Sequence, residues 1–158
     1  MIPFRVASFI VPFLVFLSLP ASTVAQRGFV HTKGVELVDG EGHRLKLLRG
    51  TNLGNWLVQE GYMFHFDDGP QSAREIEALT DDLLGPEAAT KFWHEYRDRY
   101  VTRDDIQFLK RTGMNSIRVP IHYKYFQTDG AEGFRLLDRV VEWSREAGLY
   151  VILSLIHI

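Results

Sequence analysis

The sequence predicts an α/β fold in which short parallel strands alternate with helices. Three observations lead to this prediction. Strand-like apolar segments occur near residue 48, at 116–121 and at 149–153, and each later one follows a segment with helical periodicity. Glycines end the helical segments shortly before the strands, at Gly113 and Gly148. The order strand, helices, strand, helix, strand is the start of a right-handed parallel βα arrangement.

A β-hairpin is predicted before the parallel strands. Residues 34–38 alternate apolar and polar side chains, residues 39–42 are Asp-Gly-Glu-Gly, and residues 44–48 are strand-like again. The first parallel strand is predicted to be centred on Leu48, with glycines and polar groups at its carboxyl end.

Two helices are predicted between the first and second parallel strands. Ser72 and Glu75 have capping-box spacing at the start of the first helix, and Gly85 ends it. Pro86 suits the first turn of the second helix. The stripe of the first helix comprises Ile76, Leu79 and Leu83. That of the second, expected to pack in the core, comprises Ala89, Phe92, Trp93, Tyr96 and Tyr100.

A third helix is predicted to begin after Thr102, because Asp105 has capping-box spacing to it, and to end at Gly113. The second parallel strand follows at 116–121. A further helix is predicted over 134–147, where apolar residues recur at helical spacing before the third strand at 149–153.

Residues 1–26 have the three regions of a secretory signal peptide. Arg5 is an early cation, residues 10–19 are an apolar run, and small residues occupy 21–25. The apolar run is shorter than the roughly 20 residues of a transmembrane helix. We therefore expect export, with no membrane attachment after cleavage.

Composition excludes several functional classes for the residues after the leader. They contain 17 Lys and Arg against 20 Asp and Glu, a net charge of −3, so no basic surface is expected for nucleic acid or anionic lipid. The chain has no cysteine, and its fold therefore depends on its core rather than on disulfides.

Two motifs carry the chemistry. Residues 48–64 are LRGTNLGNWLVQEGYMF and residues 114–123 are MNSIRVPIHY. Both place aromatic, amide, carboxylate or guanidinium groups at the ends of predicted strands. Aromatic faces with hydrogen-bonding groups around them are typical of sugar-binding clefts.

These motifs resemble the N-terminal part of glycoside hydrolase family 5, most closely its exo-β-1,3-glucanase type. RGTNLGNWLVQE at residues 49–60 and TRDDIQFLKRTGMNSIRVPI at residues 102–121 carry the resemblance, which covers 34–152. It implies the N-terminal portion of a (β/α)₈ TIM barrel with an N-terminal β-hairpin, truncated after the third barrel strand. It also implies retaining hydrolysis of β-glucosidic bonds, without a metal or organic cofactor.

The resemblance also implies roles for particular residues. Arg118 matches the arginine that positions the catalytic nucleophile, a role that suits the fork of donors on a guanidinium. Glu60 and Tyr62 match the acidic and aromatic positions of the innermost sugar site. Asn55 is included among the substrate-binding residues, chiefly as scaffold of that loop, and Trp56 is expected to be buried packing.

His122 is a candidate residue at the edge of the substrate cleft. The exo-glucanase pattern has glycine there and then an aromatic pair, whereas this chain has His122, Tyr123, Lys124, Tyr125 and Phe126. The departure leaves the exact substrate open. A role as general base is not assigned to His122, because carboxylates perform that chemistry in glycoside hydrolysis.

The catalytic acid/base and nucleophile are expected beyond the last residue of the chain. In the family both are glutamates, at the ends of the fourth and seventh strands, and no glutamate here follows an asparagine. Our hypothesis for residues 153–158, LSLIHI, is that they translate a transposon-end sequencing adapter, CTGTCTCTTATACACATC. We therefore divide the chain into a signal peptide at 1–26, the N-terminal part of a catalytic barrel at 27–152 and an adapter-derived tail at 153–158.

Several functions remain open from the sequence. The favoured one is a secreted hydrolase acting on β-glucan or a related polysaccharide, with β-1,3-glucan preferred. The alternatives are a non-catalytic carbohydrate-binding remnant, and an endo-β-1,4-glucanase or mannanase of the same family, since one barrel serves many substrates. The 158-residue chain by itself is expected to be inactive, because three parallel strands leave open sheet edges.

Overall fold

A computed structural model of the protein describes residues 28–45, 48–127 and 131–156. The predicted signal peptide at 1–26 lies outside the described residues, as do the last two residues of the predicted tail. The chain divides into two compact units, residues 1–45 and 46–158. No helix among the described residues is long and apolar enough to cross a lipid bilayer.

The first unit contains a small antiparallel hairpin. Strand β1 (His31–Lys33) pairs with β2 (Glu36–Val38), and Gly34 between them has a φ of 63°. This hairpin lies earlier in the chain than the predicted one. For the predicted pairing across residues 39–42, the described residues show an isolated bridge between Val38 and Arg44.

The second unit is built on a parallel sheet of three strands. Strands β3 (Gly50–Asn52), β4 (Ser116–His122) and β5 (Tyr150–Ile156) lie in that order and are all parallel. The strand that was predicted to be centred on Leu48 lies at Gly50–Asn52, after that residue. Gly50 pairs with Ser116, and a Cβ atom at Gly50 would lie only 2.2 Å from the Ser116 carbonyl oxygen, so glycine permits this approach.

Two helices connect β3 to the third helix of the chain. Helix α1 (Ala73–Leu84) starts with the predicted capping box, in which Ser72 and Glu75 each accept a backbone N–H. Helix α2 (Pro86–Arg99) begins directly after Gly85, whose φ of 79° ends α1. The predicted stripes are only partly in the core: Ile76, Ala89 and Trp93 are buried, whereas Leu79, Leu83, Phe92 and Tyr100 are exposed.

The remaining helices flank β4 in the chain. Helix α3 (Arg103–Arg111) has the capping box predicted for Thr102 and Asp105. Helix α4 (Ala131–Ala147) starts three residues before the predicted boundary. Two short 3₁₀ helices, Gly61–Phe64 and Tyr123–Phe126, follow β3 and β4 respectively.

The core lies between the sheet and the helices. Ile117, Val119 and Ile121 alternate along β4 and are buried in one apolar cluster with Ile106 of α3 and residues of α4. Successive side chains of a strand point to opposite faces. Arg118 and His122 therefore lie on the other face of β4, and the packing that forms the core also sets which residues can form a site.

Candidate functional site

Arg118 lies on the face of β4 opposite the core, in a cavity of about 440 Å³. The cavity is lined by Leu48 and by residues from all three parallel strands: Gly50, Thr51, Asn52, Ser116, Ile117, Arg118 and Ile152. Arg118 is partly buried and has cross-strand partners Asn52 in β3 and Ile152 in β5.

Neighbouring strands hold the Arg118 guanidinium from both sides. Nη1 donates to the side-chain oxygen of Asn52 at 3.4 Å, and Nη2 donates to the hydroxyl of Ser154 at 2.8 Å. A guanidinium has five N–H donors, and within the described part of the chain the bonds to Asn52 and Ser154 use two of them, which leaves donors for another acceptor. This arrangement suits a carboxylate, which can accept two parallel hydrogen bonds from one guanidinium.

The loop after β3 is fixed by its own buried residues. Asn55 has a φ of 59° and is 3% exposed, and its side-chain oxygen accepts a hydrogen bond from the Glu60 N–H at 3.0 Å. Trp56 is fully buried, and its indole N–H donates to the carbonyl of Arg97 at 2.7 Å. The structure confirms that Trp56 packs inside the protein, and it gives Asn55 a supporting position within the loop.

Helix α2 supports the same loop through Tyr96. The Tyr96 hydroxyl donates to the carbonyl of Asn55 at 2.6 Å. Burial raises the pKa of the Tyr96 phenol above its ordinary value of 10.0, with a smaller contribution in the same direction from Tyr100. The phenol therefore keeps its proton at neutral pH and remains a donor to the loop.

Glu60 and Tyr62 lie where this loop enters the 3₁₀ helix Gly61–Phe64. Glu60 is partly buried and forms an isolated antiparallel bridge with Ser72, just before α1. Tyr62 is 68% exposed, which leaves its ring accessible to a ligand. No hydrogen bond among the described residues joins either side chain to Arg118, and neither residue lines the cavity beside Arg118.

His122 ends β4 and begins the second 3₁₀ helix. Its Nδ1 accepts a hydrogen bond from the Lys124 N–H at 3.2 Å, and its ring stacks on Tyr123 with centroids 4.7 Å apart. The Lys124 ammonium forms an ion pair with Glu77 of α1. These residues border a cavity of about 450 Å³ between α1 and the 3₁₀ helix.

Four contributors to this region were not singled out by the sequence motifs. Asn52 and Ser154 hold Arg118, Tyr96 supports the loop, and Glu77 fixes Lys124. The RGTN motif did contain Asn52, but only the strand register shows its pairing with Arg118. Among the described residues, no group of three or more His, Cys, Asp or Glu side chains is arranged to hold a metal ion.

Comparison with known proteins adds a family relationship. The family model described as Cellulase (glycosyl hydrolase family 5) matches residues 80–158. A protein named beta-xylosidase from Phanerodontia chrysosporium is 31% identical over 133 residues, which are 80% of this chain and 27% of that protein. A probable glucan 1,3-beta-glucosidase A from Aspergillus fumigatus is 33% identical over 116 residues, which are 69% of this chain and 28% of that protein.

A solved structure has a similar fold. The structure titled "Crystal structure of AoRut" superposes with a TM-score of 0.50 at 21% identity, over 66% of this chain and 31% of that one. At this level of identity the likeness concerns the fold alone. The chain spans 27% to 28% of the length of the two relatives above. Because the family model matches half of the chain, the protein belongs to glycosyl hydrolase family 5.

Proposed function

We propose that the whole protein is a secreted, retaining glycoside hydrolase that cleaves β-glucosidic bonds in a polysaccharide, with β-1,3-glucan as the favoured substrate. In this proposal the chain is the N-terminal portion of a (β/α)₈ barrel, with the hairpin before its first strand. Family membership supports a hydrolase, and the similarity to a protein named glucan 1,3-beta-glucosidase supports a β-glucan.

The observation that carries the proposal is the position of Arg118. Asn52 contacts its guanidinium on the non-core face of the sheet, with donors left for a carboxylate. The contact to Ser154 is not used for the whole protein, because residue 154 lies in the proposed adapter-derived tail. A nucleophilic carboxylate must be ionised and correctly oriented, and a guanidinium beside it favours both conditions. Arg118 would then act by positioning the nucleophile rather than by reacting itself.

Retaining hydrolysis requires two carboxyl groups about 5 to 5.5 Å apart, one as acid/base and one as nucleophile. We assign neither role within this chain, and we propose that both glutamates are supplied by later strands of the barrel. In this proposal, the role of the residues in this chain is to bind the sugar. The Glu60 carboxylate can accept hydrogen bonds from sugar hydroxyls, and the exposed Tyr62 ring can cover an apolar sugar face.

The domain assignment belongs to the same proposal. It includes a signal peptide at 1–26, catalytic-barrel sequence at 27–152 and an adapter-derived tail at 153–158. Sequencing the source DNA across codon 153 tests the tail. We expect codons that continue into Asp-Leu-His and, further on, Asn-Glu. The same six codons followed by a genuine stop would overturn this assignment.

The proposed activity is tested with the protein expressed from its complete reading frame. We expect it to release glucose from laminarin faster than it acts on carboxymethylcellulose, mannan, pustulan or an aryl β-xyloside. The first sugar product, followed by NMR, is expected to keep its anomeric configuration. Inversion would refute the mechanism. A preference for another polysaccharide would refute the substrate, and glucan binding without hydrolysis would favour a carbohydrate-binding protein.

A further inference from the structure

Arg97 of α2 is a buried cation that does not line the cavity beside Arg118. Its side chain is 7% exposed and pairs with Glu132, which lies in the first turn of α4 and is 22% exposed. Nε donates to one carboxylate oxygen at 2.8 Å, and Nη2 donates to the other at 3.1 Å. A planar guanidinium that binds both oxygens fixes the orientation of the carboxylate as well as its distance. The pair therefore holds the first turn of α4 against α2 in one geometry.

The part of α2 around Arg97 also carries the loop after β3. The carbonyl of Arg97 accepts the indole N–H of Trp56, and the hydroxyl of the preceding Tyr96 donates to the carbonyl of Asn55. Glu60 belongs to the same loop, and its N–H donates to the side chain of Asn55. A shift of α2 at this point would therefore displace the loop that leads to Glu60.

The same ion pair contacts the second 3₁₀ helix, which follows His122 at the end of β4. The guanidinium carbon of Arg97 lies 4.9 Å from the centre of the Tyr125 ring, within the range of a cation–π interaction. Beside Glu132, Gly133 lets the backbone of α4 approach this helix, because a Cβ atom there would lie only 2.6 Å from the Tyr125 carbonyl oxygen. The pair thus links the loop after β3 to the segment after β4.

A contribution to stability does not account for an ion pair at this depth. Removing two charges from water costs free energy that their attraction only partly offsets, so a hydrophobic pair of similar volume often gives an equally stable fold. A hydrophobic pair, however, has no hydrogen bonds that select one orientation. The forked pair of Arg97 and Glu132 does select one. Its place between the two loop segments indicates that geometry is its main contribution.

We propose that Arg97 and Glu132 are positioning residues for substrate binding. Their ion pair keeps the loop after β3 in one position relative to the segment after β4, so that Glu60 and Tyr62 meet the sugar in a fixed orientation. Neither Arg97 nor Glu132 contacts the sugar in this proposal. The inference rests on the proposed function, because the sugar-binding role of Glu60 and Tyr62 belongs to it. The loss of the pair should therefore weaken substrate binding more than it slows the chemical step.

The test removes both charges and keeps the volume, in the protein expressed from its complete reading frame. The variant combines Arg97→Met with Glu132→Leu, and its Tm should stay within about 3 °C of the wild-type value. We expect kcat/KM for laminaritetraose to fall about tenfold, as for the loss of one hydrogen bond to the sugar. The fall should come chiefly from a higher KM, with kcat within about threefold. A double variant that is as stable as the wild type and keeps its kcat/KM within about twofold would overturn the proposal.

Asp98→Asn is a matched control, because Asp98 is the next residue of α2 and pairs with Arg135 and Arg139 of the same helix α4. It should leave kcat/KM for laminaritetraose within about twofold, as expected for an exposed ion pair. An equal loss in Asp98→Asn and in the double variant would overturn the specific role of Arg97 and Glu132. If the double variant does not fold, Arg97→Lys serves as a second probe. It keeps the charge without the fork and should raise KM about threefold; an unchanged KM would overturn the proposal.

Failure of the proposed function gives a different result. A wild-type protein that does not hydrolyse laminaritetraose contradicts that function, and the indole N–H of Trp56 then decides the positioning role. Because this N–H donates to the Arg97 carbonyl, its hydrogen exchange, followed by NMR, should be about tenfold faster in the double variant than in the wild type. Faster exchange in the double variant, with Asp98→Asn like the wild type, supports the positioning role. Unchanged exchange in the double variant overturns it.

Discussion

Replacement of Arg118 by lysine tests the central element of the proposed mechanism. Lysine keeps the positive charge but has no planar fork, so it cannot hold both oxygens of a carboxylate in one orientation. It also cannot donate to Asn52 through one terminal nitrogen while a second terminal nitrogen remains available for the nucleophile. The substitution therefore removes the fixed orientation of the bound carboxylate, while it retains the positive charge at position 118.

The contacts of Arg118 allow the effect to be estimated. A hydrogen bond to a charged group contributes about 1.5 to 3 kcal/mol, and Arg118→Lys loses about one of the two bonds that we propose Arg118 donates to the nucleophile. Since about 1.4 kcal/mol corresponds to a tenfold change in rate, kcat should fall about 10- to 150-fold. Arg118→Ala loses both bonds and should lower kcat by about two to four orders of magnitude.

The assay is steady-state hydrolysis of laminaritetraose by the protein from its complete reading frame. We expect kcat and kcat/KM to fall together, because the interaction with the nucleophile acts in the transition state. Arg103→Lys is the matched control, since Arg103 pairs with Glu146 on the surface at 2.7 Å. An Arg118→Lys enzyme that folds normally and retains kcat within about threefold, or that changes only KM, would refute the reasoning.

Further predictions concern stability and association. Tyr96→Phe leaves the Asn55 carbonyl without its hydroxyl donor and should lower the free energy of unfolding in urea by about 1 to 2 kcal/mol; an unchanged midpoint would contradict this. The hydrogen bond from Arg135 lowers the pKa of Asp98 below 3.8. The ion pair therefore stabilises the fold above pH 3.8 and loses its effect as the pH falls through the lowered pKa, so Asp98→Asn should flatten the dependence of Tm on pH in that acidic range. The chain of 158 residues expressed alone should self-associate in sedimentation experiments, because Ile152, Leu153 and Leu155 of the edge strand β5 are exposed; a stable monomer would argue against this.

Helix starts were predicted well because short-range hydrogen bonds determine them. Ser72 with Glu75, and Thr102 with Asp105, satisfy backbone donors within three residues of each other. The sequence alone contains all the groups required. Pro86 and Gly85 define the junction of α1 and α2 in the same local way.

The early strands were predicted less well because their partners are distant or ambiguous. The apolar residue Leu48 suggested the centre of a strand, but pairing begins at Gly50, where the backbone approaches Ser116. In the first unit, both Gly34 and residues 39–42 offer turn chemistry. The longer ladder is the one between β1 and β2, around Gly34. Which of the two possible turns forms the hairpin therefore depends on how the strands pair and not on the turn residues.

In the candidate site, too, local features were predictable from the sequence and long-range contacts were not. Alternation along β4 was sufficient to place Arg118 and His122 on one face. The groups that contact Arg118 follow instead from the register of three strands separated widely in sequence. Tyr96 belonged to a stripe expected to fill the core, whereas its hydroxyl supports the loop that carries Glu60. A periodic pattern identifies the face of a helix but not the bond made by one atom on it.

The bonds from α2 to the loop after β3 matter for building chimeric enzymes. Transplanting only residues 53–60 into a relative would bring Trp56 without the Arg97 carbonyl that receives its N–H, and Asn55 without Tyr96. Buried polar groups left without partners are costly. A transferable module should therefore span residues 50–99, which keep the loop after β3 together with the helix that fixes its shape.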